Sequence, residues 1–417
     1  MPDDARDGCP VATVGATMED MTVRKKNSSQ ARHAEKPGIE KLAIVVVTYK
    51  RQELLHTLFK SLLDLTQAPW RIIIVDNEHS DETRGMVDGF AADVKRQWGD
   101  TVPDLSGNGG RVVYAPQSDN LGGAGGFSAG VKKAYELGAA WFWVMDDDVA
   151  VLPDGIEKLA KWTKRHEVIQ GSRYDYDGGP FYWQYQFIVP LGIPNPIAPA
   201  AFGKAGYRVM NTLCFEGGLF SRRIVERIGL PDPRFFIYWD DTMYGYRASK
   251  VTNPIVVPDV VLRRTREIGN WDIAGVRQLN STSDMNRYHI MRNRGYMARY
   301  FMAYGDFRPF LFAVGTLATA AKEVIRLVAV DREHLRVPVW CRSPRAGGIR
   351  ASCCTTPPGS PCLRLPVNEQ PSVAPRPGSG ACADLEMQLG DAQIVERLTA
   401  FHIRVDHRRR GVVVGVV

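Results

Sequence analysis

The feature that most constrains the fold is an alternation of apolar and amphipathic segments that begins at residue 41. The apolar runs KLAIVVV, RIIIVD, RVVYA and WFWVM are separated by segments with helical periodicity, among them RQELLHTLFKSLLDL and GGFSAGVKKAYELG. Strands that are apolar throughout are typical of a parallel sheet covered by helices on both faces. The sequence therefore predicts an open, mostly parallel α/β sheet.

Polar residues follow the ends of these predicted strands. In open α/β sheets, ligands bind beyond the carboxyl ends of the strands. We therefore expect the polar segments to meet at one pocket, although a polar residue at a strand end is usually only part of a turn. The segments are Thr48 to Arg51, Asp76 and Asn77, Asn120 to Gly126 with Gly122 and Gly123, and Asp146 to Asp148.

The acidic triplet is the sharpest of these signals. In an extended segment alternate side chains share a face, so Asp146 and Asp148 can point together while Asp147 points away. Two carboxylates on one side suit Mg²⁺ or Mn²⁺ bound to a diphosphate. A solvated acidic turn is the alternative. An aspartyl-nucleophile phosphatase is disfavoured, because its D-x-D pair should follow the first strand, whereas this one follows the fourth.

The glycine run NLGGAGGFSAG allows a close backbone approach to a ligand and opens a helix. It is no dinucleotide fingerprint, because that motif follows the first strand, where this chain has TYKR. A tight turn explains it equally well. Asp76 could accept a hydrogen bond from a nucleotide base, or cap a turn, and Arg51 could lie against the base or phosphates.

The segment FFIYWDDTMYGYRA places two acids among aromatic residues. An apolar site raises the pKa of a carboxylate toward the range of a general base. Asp241 is the predicted base, and Asp240 is either its partner or paired with an arginine such as Arg247. Glu216 is a second choice as base, or a contact to the acceptor sugar. Trp239 is a further predicted acceptor contact.

The segment RYHIMRNRGY offers an imidazole and two guanidinium groups. His289 could bind a metal ion, although such a histidine more often packs within a helix. Arg292 and Arg294 could contact a phosphate or the acceptor, and solvated charge is the alternative.

The series VVVTYKR, IIIVDN, NLGGAGGF, WVMDDDV, FEGGLF, IYWDDTMYGYR and RNRGY, over about residues 41 to 300, resembles the inverting family 2 glycosyltransferases of the GT-A fold. Within that family it looks most like bacterial galactofuranosyl- and rhamnosyltransferases of cell-wall glycan assembly. The resemblance implies an inverting hexosyltransferase that uses UDP-galactofuranose, or next dTDP-rhamnose, and a polyprenyl-diphosphate-linked glycan as acceptor. It also implies a divalent metal, Mn²⁺ or Mg²⁺, on the diphosphate.

Residue by residue, the resemblance implies a set of roles for this chain. Asp146 and Asp148 would flank the metal, with His289 as a candidate third ligand, and Asp241 would deprotonate the acceptor hydroxyl. One departure stands out, because the family often carries a metal-binding histidine where this chain reads PDVVLRRTREIG, with Arg263 or Arg264 near the expected place. The predicted donor contacts are Thr48, Arg51, Asp76, Asn120, Gly122, Gly123 and Asp147.

Composition divides the chain into predicted regions. We expect residues 1–40 to be a disordered polar extension without a signal-peptide pattern. The resemblance implies a GT-A domain over 41–300, with 41–155 as the half that binds the nucleotide-sugar donor and 156–300 as the acceptor half. Residues 301–336 are a predicted helical segment that could associate with a membrane. Residues 337–417 form a tail rich in Pro, Gly, Cys and Arg. The net charge of +7 suits a phosphate-bearing partner or an acidic membrane better than nucleic acid, for which no recognition motif is present. We expect a cytoplasmic protein, peripheral at the inner membrane face.

Two other functions remain open from the sequence. A non-catalytic module that binds nucleotide sugars would keep the fold without the chemistry, and the missing histidine motivates this alternative. A nucleotidyltransferase would share the acidic pair, but it should carry a Gly- and Arg-rich loop after the first strand, and TYKR does not supply one. The sequence does not specify the oligomeric state.

Overall fold

The computed structural model describes residues 38–99, 110–179, 185–196, 202, 204–267, 270–271, 279–280, 282–331, 401–406 and 411–416. The strands are β1 (Leu42–Thr48), β2 (Arg71–Asp76), β3 (Val112–Pro116), β4 (Trp141–Asp146), β5 (Val149–Val151), β6 (Val168–Tyr174), β7 (Tyr185–Ile188), β8 (Ile193–Pro196), β9 (Arg208–Val209), β10 (Gly218–Ser221), β11 (Ile255–Arg264), β12 (Asn270–Trp271), β13 (Leu279–Asn280), β14 (Phe401–Asp406) and β15 (Gly411–Val416). The helices are α1 (Gln52–Leu63), α2 (Asp81–Trp98), α3 (Gly122–Glu136), α4 (Gly155–Thr163), α5 (Arg222–Ile228), α6 (Asp240–Ala248), α7 (Asp284–Ala303) and α8 (Pro309–Ile325).

Within these ranges, nine strands form one sheet in the order β3-β2-β1-β4-β10-β6-β11-β5, with β9 paired to β11. The neighbours β3, β2, β1 and β4 are parallel, whereas β10 is antiparallel to both β4 and β6. The predicted fold class, an open and mostly parallel α/β sheet with helices on both faces, is confirmed. The antiparallel strands all come after β4, where the sequence pattern becomes irregular.

Both faces of the sheet are buried, and β1 shows why. Leu42, Ile44 and Val46 pack with side chains from α1, α2 and α4. Ala43 and Val45 alternate with them and pack with side chains from α3, α5 and α6 on the other face. Because successive side chains of a strand point to opposite faces, a strand covered on both sides must be apolar throughout.

Two glycines of α3 let this helix lie close to the sheet. A Cβ on Gly126 would come within 2.5 Å of Val47 Cγ1, and one on Gly130 within 2.4 Å of Val45 Cγ1. Much of the glycine run therefore serves helix–sheet packing, which brings the N-terminus of α3 to the carboxyl edge of β1.

Arg294 joins α7 and α8 to the β7–β8 turn. Its fully buried guanidinium donates to Thr316 Oγ1 at 2.9 Å, to the Gly192 carbonyl at 2.6 Å and to the Leu191 carbonyl at 2.9 Å. Burial lowers the pKa of Arg294 to about 10. The prediction that Arg294 contacts a phosphate is therefore not supported, because its donors are committed inside the protein.

The two ends of the chain lie mostly outside the described residues. The predicted extension falls there up to residue 37, and of the predicted 337–417 tail the structure describes β14 and β15, which pair antiparallel. Among the described helices, none is long and apolar enough to cross a membrane. The boundaries of the predicted regions stay predictions.

Candidate active site

Three strand ends lie level at one edge of the sheet. In the pairing of β1 with β2, Thr48 stands opposite Asp76, and in the pairing of β1 with β4, Val47 stands opposite Asp146. The acidic triplet starts at the last residue of β4. The carboxyl edge of an open α/β sheet is where ligands bind. Thr48 and Asp147, which are 99 residues apart in the chain, are in direct contact there.

The central acid of the triplet bonds back to β1. Thr48 Oγ1 donates to Asp147 Oδ2 at 2.7 Å, and an Arg51 guanidinium nitrogen donates to Asp147 Oδ1 at 3.0 Å. Asp147 and Thr48 are both buried. These contacts offset part of the repulsion within the triplet and tie it to β1. Thr48 and Asp147, both predicted to contact the donor, contact each other instead.

The outer acids of the triplet form a site rich in negative charge. Burial raises the pKa of Asp146 well above its ordinary value, and the charges of Asp148 and Glu216 raise it further. The same Arg51 nitrogen lies 3.4 Å from Asp148 Oδ2 and offsets part of this charge. Magnesium ions are often held by one or two carboxylates together with substrate phosphates. Asp146 and Asp148 therefore fit a divalent cation carried on a diphosphate.

A third protein ligand for such a cation is not found in the described ranges, where no group of three His, Cys, Asp or Glu side chains could hold a metal ion. The prediction of His289 as that ligand is not supported. The His289 ring stacks on Phe236, with 4.9 Å between the ring centroids, and burial lowers its pKa with a smaller contribution from Arg292. The imidazole is thus a packing group of α7.

Glu216 is held between two arginines. Arg264 Nε lies 3.1 Å from Glu216 Oε1, and an Arg173 guanidinium nitrogen lies 3.3 Å from Glu216 Oε2. Burial nevertheless raises the pKa of Glu216, against the lowering effect of Arg173 and Arg264. The prediction of Glu216 as a base or a sugar contact is not supported, because both oxygens are engaged. Of the two candidate arginines, Arg264 reaches the site, whereas Arg263 is exposed.

Asp241 interacts electrostatically with Arg173. It is partly buried at the start of α6 and accepts hydrogen bonds from the backbone and hydroxyl of Thr242. Burial raises the pKa of Asp241, opposed by Thr242, by the Cys214 thiol and by the charge of Arg173. Glu216 and Asp241 therefore share one counter-charge, Arg173, and Glu216 interacts in turn with Asp146. The predicted metal ligands Asp146 and Asp148 and the predicted base Asp241 therefore belong to one electrostatic cluster.

The groups that affect Asp240 differ from those that affect Asp241. Burial raises its pKa to about 8, with the charge of Asp241 next and a smaller effect from Asp232. The alternative of an ion pair with Arg247 is not supported, because Arg247 donates to the Leu230 carbonyl at 3.2 Å and lies over the ring of Tyr300. Of the two acids, Asp241 is the one that interacts with the Arg173 side of the site.

The start of α3 has less room for a ligand than its glycines suggest. Asn120 Oδ1 accepts a hydrogen bond from Gly122 N at 2.9 Å, in the turn that leads into the helix. Gly122 has φ +68, and a Cβ there would lie 2.2 Å from the Phe236 carbonyl oxygen. At Gly123 a Cβ would meet nothing within 4 Å. The prediction of donor contacts at Asn120 and Gly122 is therefore not supported, whereas Gly123 stays a prediction.

Asp76 organises the turn after β2. It is fully buried, and its oxygens accept hydrogen bonds from Glu78 N at 2.8 Å, from Ser80 N at 3.1 Å and from the Tyr114 hydroxyl at 2.7 Å. Three donors of the protein bind Asp76, and its contact with the nucleotide base stays a prediction. The alternative weighed from the sequence, a turn role, describes this residue.

Arg292 and Trp239, both predicted to contact the acceptor, form hydrogen bonds between α7 and the segment before α6. Arg292 donates to the carbonyl oxygens of Arg234 at 2.8 Å and Phe235 at 2.7 Å. Trp239 Nε1 donates to the Ile290 carbonyl at 3.3 Å, and its ring is partly buried. An acceptor contact is not supported for Arg292, and it stays a prediction for Trp239.

The sequence interpretation missed Arg173 and Cys214. Arg173 is a buried arginine near the end of β6, and it donates to Cys214 Sγ at 3.3 Å as well as pairing with Glu216. Burial raises the pKa of the Cys214 thiol to about 12, so the thiol stays protonated and bonds to Asp241. The available signal was an arginine within the predicted strand segment VIQGSRY, because a buried arginine requires acceptors.

Comparison with known proteins finds one matching family model and several similar proteins. The model described as "Glycosyl transferase family 2" matches residues 43–229. "Galactofuranosyltransferase GlfT1" of Mycolicibacterium smegmatis (strain ATCC 700084 / mc(2)155) is 27% identical over 221 residues, which cover 48% of this chain and 63% of that protein. The protein of the same name from Mycobacterium tuberculosis (strain CDC 1551 / Oshkosh) is 26% identical over 212 residues, which cover 48% of this chain and 62% of that protein.

The matched part is thus less than two thirds of the length of either relative. Among solved structures, S. aureus TarS 1-349 is 12% identical, with a TM-score of 0.43 and coverage of 72% of this chain and 76% of that chain.

Proposed function

We propose, from the premise that residues 43–229 form a domain of glycosyl transferase family 2, that this chain transfers a hexose from a nucleotide-diphosphate-sugar to a hydroxyl of a glycan. The proposed donor is UDP-galactofuranose, with dTDP-rhamnose next. The names of the two relatives support the first choice. The proposed acceptor is a polyprenyl-diphosphate-linked glycan, and the proposed stereochemical course is inversion.

One observation carries the proposal. The carboxylates of Asp146 and Asp148 and the acid Asp241 interact through Glu216 and Arg173 within one electrostatic cluster at the carboxyl edge of the sheet. A direct displacement needs a stabilised leaving group and a base on opposite sides of the transferred sugar. A site that unites a cation-binding pair and an acid of raised pKa supplies both elements.

The roles of the chain's own residues follow from their contacts. Asp146 and Asp148 would hold Mg²⁺ or Mn²⁺, which when bound neutralises charge on the diphosphate leaving group. Asp241 would accept the proton of the acceptor hydroxyl, while Thr242 and Cys214 orient its carboxylate. Arg51 is 41% exposed at its side chain and lies beside Asp148, where it can move onto a diphosphate.

A donor panel tests the proposal. The protein is incubated with UDP-galactofuranose, UDP-galactopyranose, UDP-glucose and dTDP-rhamnose in the presence of Mn²⁺, and released nucleotide is measured with and without an octyl-linked disaccharide acceptor. We expect slow hydrolysis of one donor and faster, acceptor-dependent release from that same donor. Release of no nucleotide from any donor, with binding intact, would reject a transferase and favour a binding module.

That second candidate, a non-catalytic module that binds nucleotide sugars, has one observation in its favour. Arg264 and Arg51 both lie against the acidic residues of the site, at 3.1 Å from Glu216 and 3.4 Å from Asp148. Positive side chains in this place could bind a diphosphate without a metal ion. The donor panel separates the two candidates, since a binding module retains the nucleotide sugar unhydrolysed.

A lipid-linked acceptor requires a membrane surface nearby, and we propose that α8 supplies the contact. Phe310 is 79% exposed, Leu317 55% and Ile325 52%, and all three are apolar. An apolar helix face of this kind can lie in the headgroup region of a bilayer. The proposed location is therefore peripheral, at the membrane surface that carries the acceptor.

Vesicle sedimentation tests this location. The double substitution Phe310→Asp and Leu317→Asp is expected to leave the protein in the supernatant, because two buried charges oppose insertion of the α8 face. The intact chain is expected to sediment with phosphatidylglycerol-containing vesicles. Tyr176→Asp is the matched control, since Tyr176 is a 53% exposed aromatic residue elsewhere on the protein. Equal sedimentation of all three proteins would contradict the α8 contact.

A further inference from the structure

The loop that leads into α6 has a strained backbone. Phe236, Tyr238 and Trp239 have φ values of +63, +67 and +71, all in the left-handed region. Bulky residues rarely adopt this conformation, and they keep it only where the surroundings hold them there. The loop ends directly before Asp240 and Asp241. Something outside the loop must therefore fix its shape.

Asn293 supplies that restraint from α7. Its side chain is fully buried, and Nδ2 donates to the carbonyl oxygens of Phe235 at 3.0 Å, Ile237 at 2.8 Å and Tyr238 at 2.9 Å. Arg292 donates to Asn293 Oδ1 from two nitrogens, at 3.0 and 2.8 Å. The amide is thereby held with its nitrogen toward the loop, so that one side chain binds three carbonyl oxygens within four residues of the loop.

The opposite side of the loop rests on the donor half. The Phe236 carbonyl accepts a hydrogen bond from Ala124 N at 3.0 Å, in the first turn of α3. Gly122 leaves room for that carbonyl, and the Phe236 ring stacks on His289. The loop is therefore fixed between α3 and the segment from His289 to Asn293 of α7. These contacts give a structural role to the RNRGY motif, to which the proposed catalytic mechanism assigns no role.

We propose that Asn293 is a positioning residue, which holds the strained 235–239 loop against α3 so that Asp241 is presented to the site. The inference rests on the proposed function for the role of Asp241, but the restraint of the loop does not depend on it. Asn293 touches neither Asp241 nor the acidic triplet in these contacts, so it acts through the loop backbone.

The test is Asn293→Asp, which keeps the shape and replaces the donor nitrogen with an oxygen that repels the three carbonyls. We expect hydrogen–deuterium exchange of residues 234–243 to rise and the transfer rate to fall about 100-fold, the effect of a displacement of roughly 1 Å in a catalytic group. The donor dissociation constant is expected to stay unchanged. Asn293→Ala, which removes the donor without adding a charge, serves if the first variant does not fold.

Thr316→Val is the matched control. Thr316 Oγ1 accepts the hydrogen bond from Arg294 Nε and is buried in the α7–α8 contact, so its loss lowers stability without touching the loop. We expect a similar decrease in melting temperature, with exchange of 234–243 and the transfer rate as in the intact chain.

Unchanged exchange of 234–243 in both Asn293 variants would overturn the restraint. Faster exchange with undiminished transfer would overturn the positioning role. Failure of the intact chain in the donor panel would reject the proposed function instead, and the exchange comparison would still decide whether Asn293 holds the loop.

Discussion

Replacing Asp241 with asparagine is expected to lower the rate of sugar transfer by about 10²- to 10⁴-fold, the range that a positioned general base contributes. Asparagine has nearly the same shape, but it cannot accept a proton from the acceptor hydroxyl. Donor affinity should be preserved, because Asp241 is assigned to the acceptor hydroxyl, whereas Asp146 and Asp148 are assigned to the diphosphate. The measurement is a single-turnover transfer rate together with a donor titration of the same variant.

The neighbouring acid is the control for that assignment. Asp240→Asn removes a buried acid whose pKa is raised to about 8. The charged groups that affect this acid are Asp241 and, more weakly, Asp232. A smaller loss of transfer is expected for Asp240→Asn than for Asp241→Asn. The reverse order, with Asp241→Asn close to the intact chain, would assign the base to Asp240.

The pH dependence has a defined sign. Only the ionised carboxylate of Asp241 accepts a proton, and burial raises the pKa of this group. The acidic limb of the rate profile therefore lies above the pH at which an exposed aspartate titrates. The transfer rate should therefore rise with pH through that limb. Asp241→Asn should lose this limb, while a limb that remained in the variant would belong to another group.

Much of the fold followed from the sequence because the signals were local. Runs such as LAIVVV are apolar on both faces, and only a strand between two helical layers buries every side chain. The placement of Thr48 beside Asp147 was also accessible, because parallel strands bring their carboxyl ends to one edge. The acids of the triplet are at that edge for the same reason.

Several predicted site residues have partners within the protein that lie far away in the sequence. Asp76 ends an apolar strand in the same way as Asp146, but the Tyr114 hydroxyl, 38 residues further on, engages it. Arg292 lies 57 residues from the Phe235 carbonyl that accepts from it. Glu216 is neutralised by Arg173 and Arg264, which come from two other strands. Such pairings depend on how distant segments of the chain pack together, which a single sequence does not specify.

Asp146→Asn is the second substitution with a large expected effect. Burial raises the pKa of Asp146, and the charges of Asp148 and Glu216 further disfavour its ionised form. A cation on a diphosphate would reverse that balance. We expect Mn²⁺ affinity in the presence of UDP to fall by more than about tenfold, since even the outer partners of metal ligands contribute about 10- to 100-fold.

The readout for Asp146→Asn is Mn²⁺ binding followed by electron paramagnetic resonance in the presence of UDP, with the transfer rate measured in parallel. Asp147→Asn is the matched control within the same triplet, because its carboxylate is already bonded to Thr48 and Arg51. That variant should lose thermal stability while it keeps most of its Mn²⁺ affinity. If Asp147→Asn abolished Mn²⁺ binding and Asp146→Asn did not, the assignment of the outer acids as metal ligands would be wrong, and Asp147 would become the metal ligand.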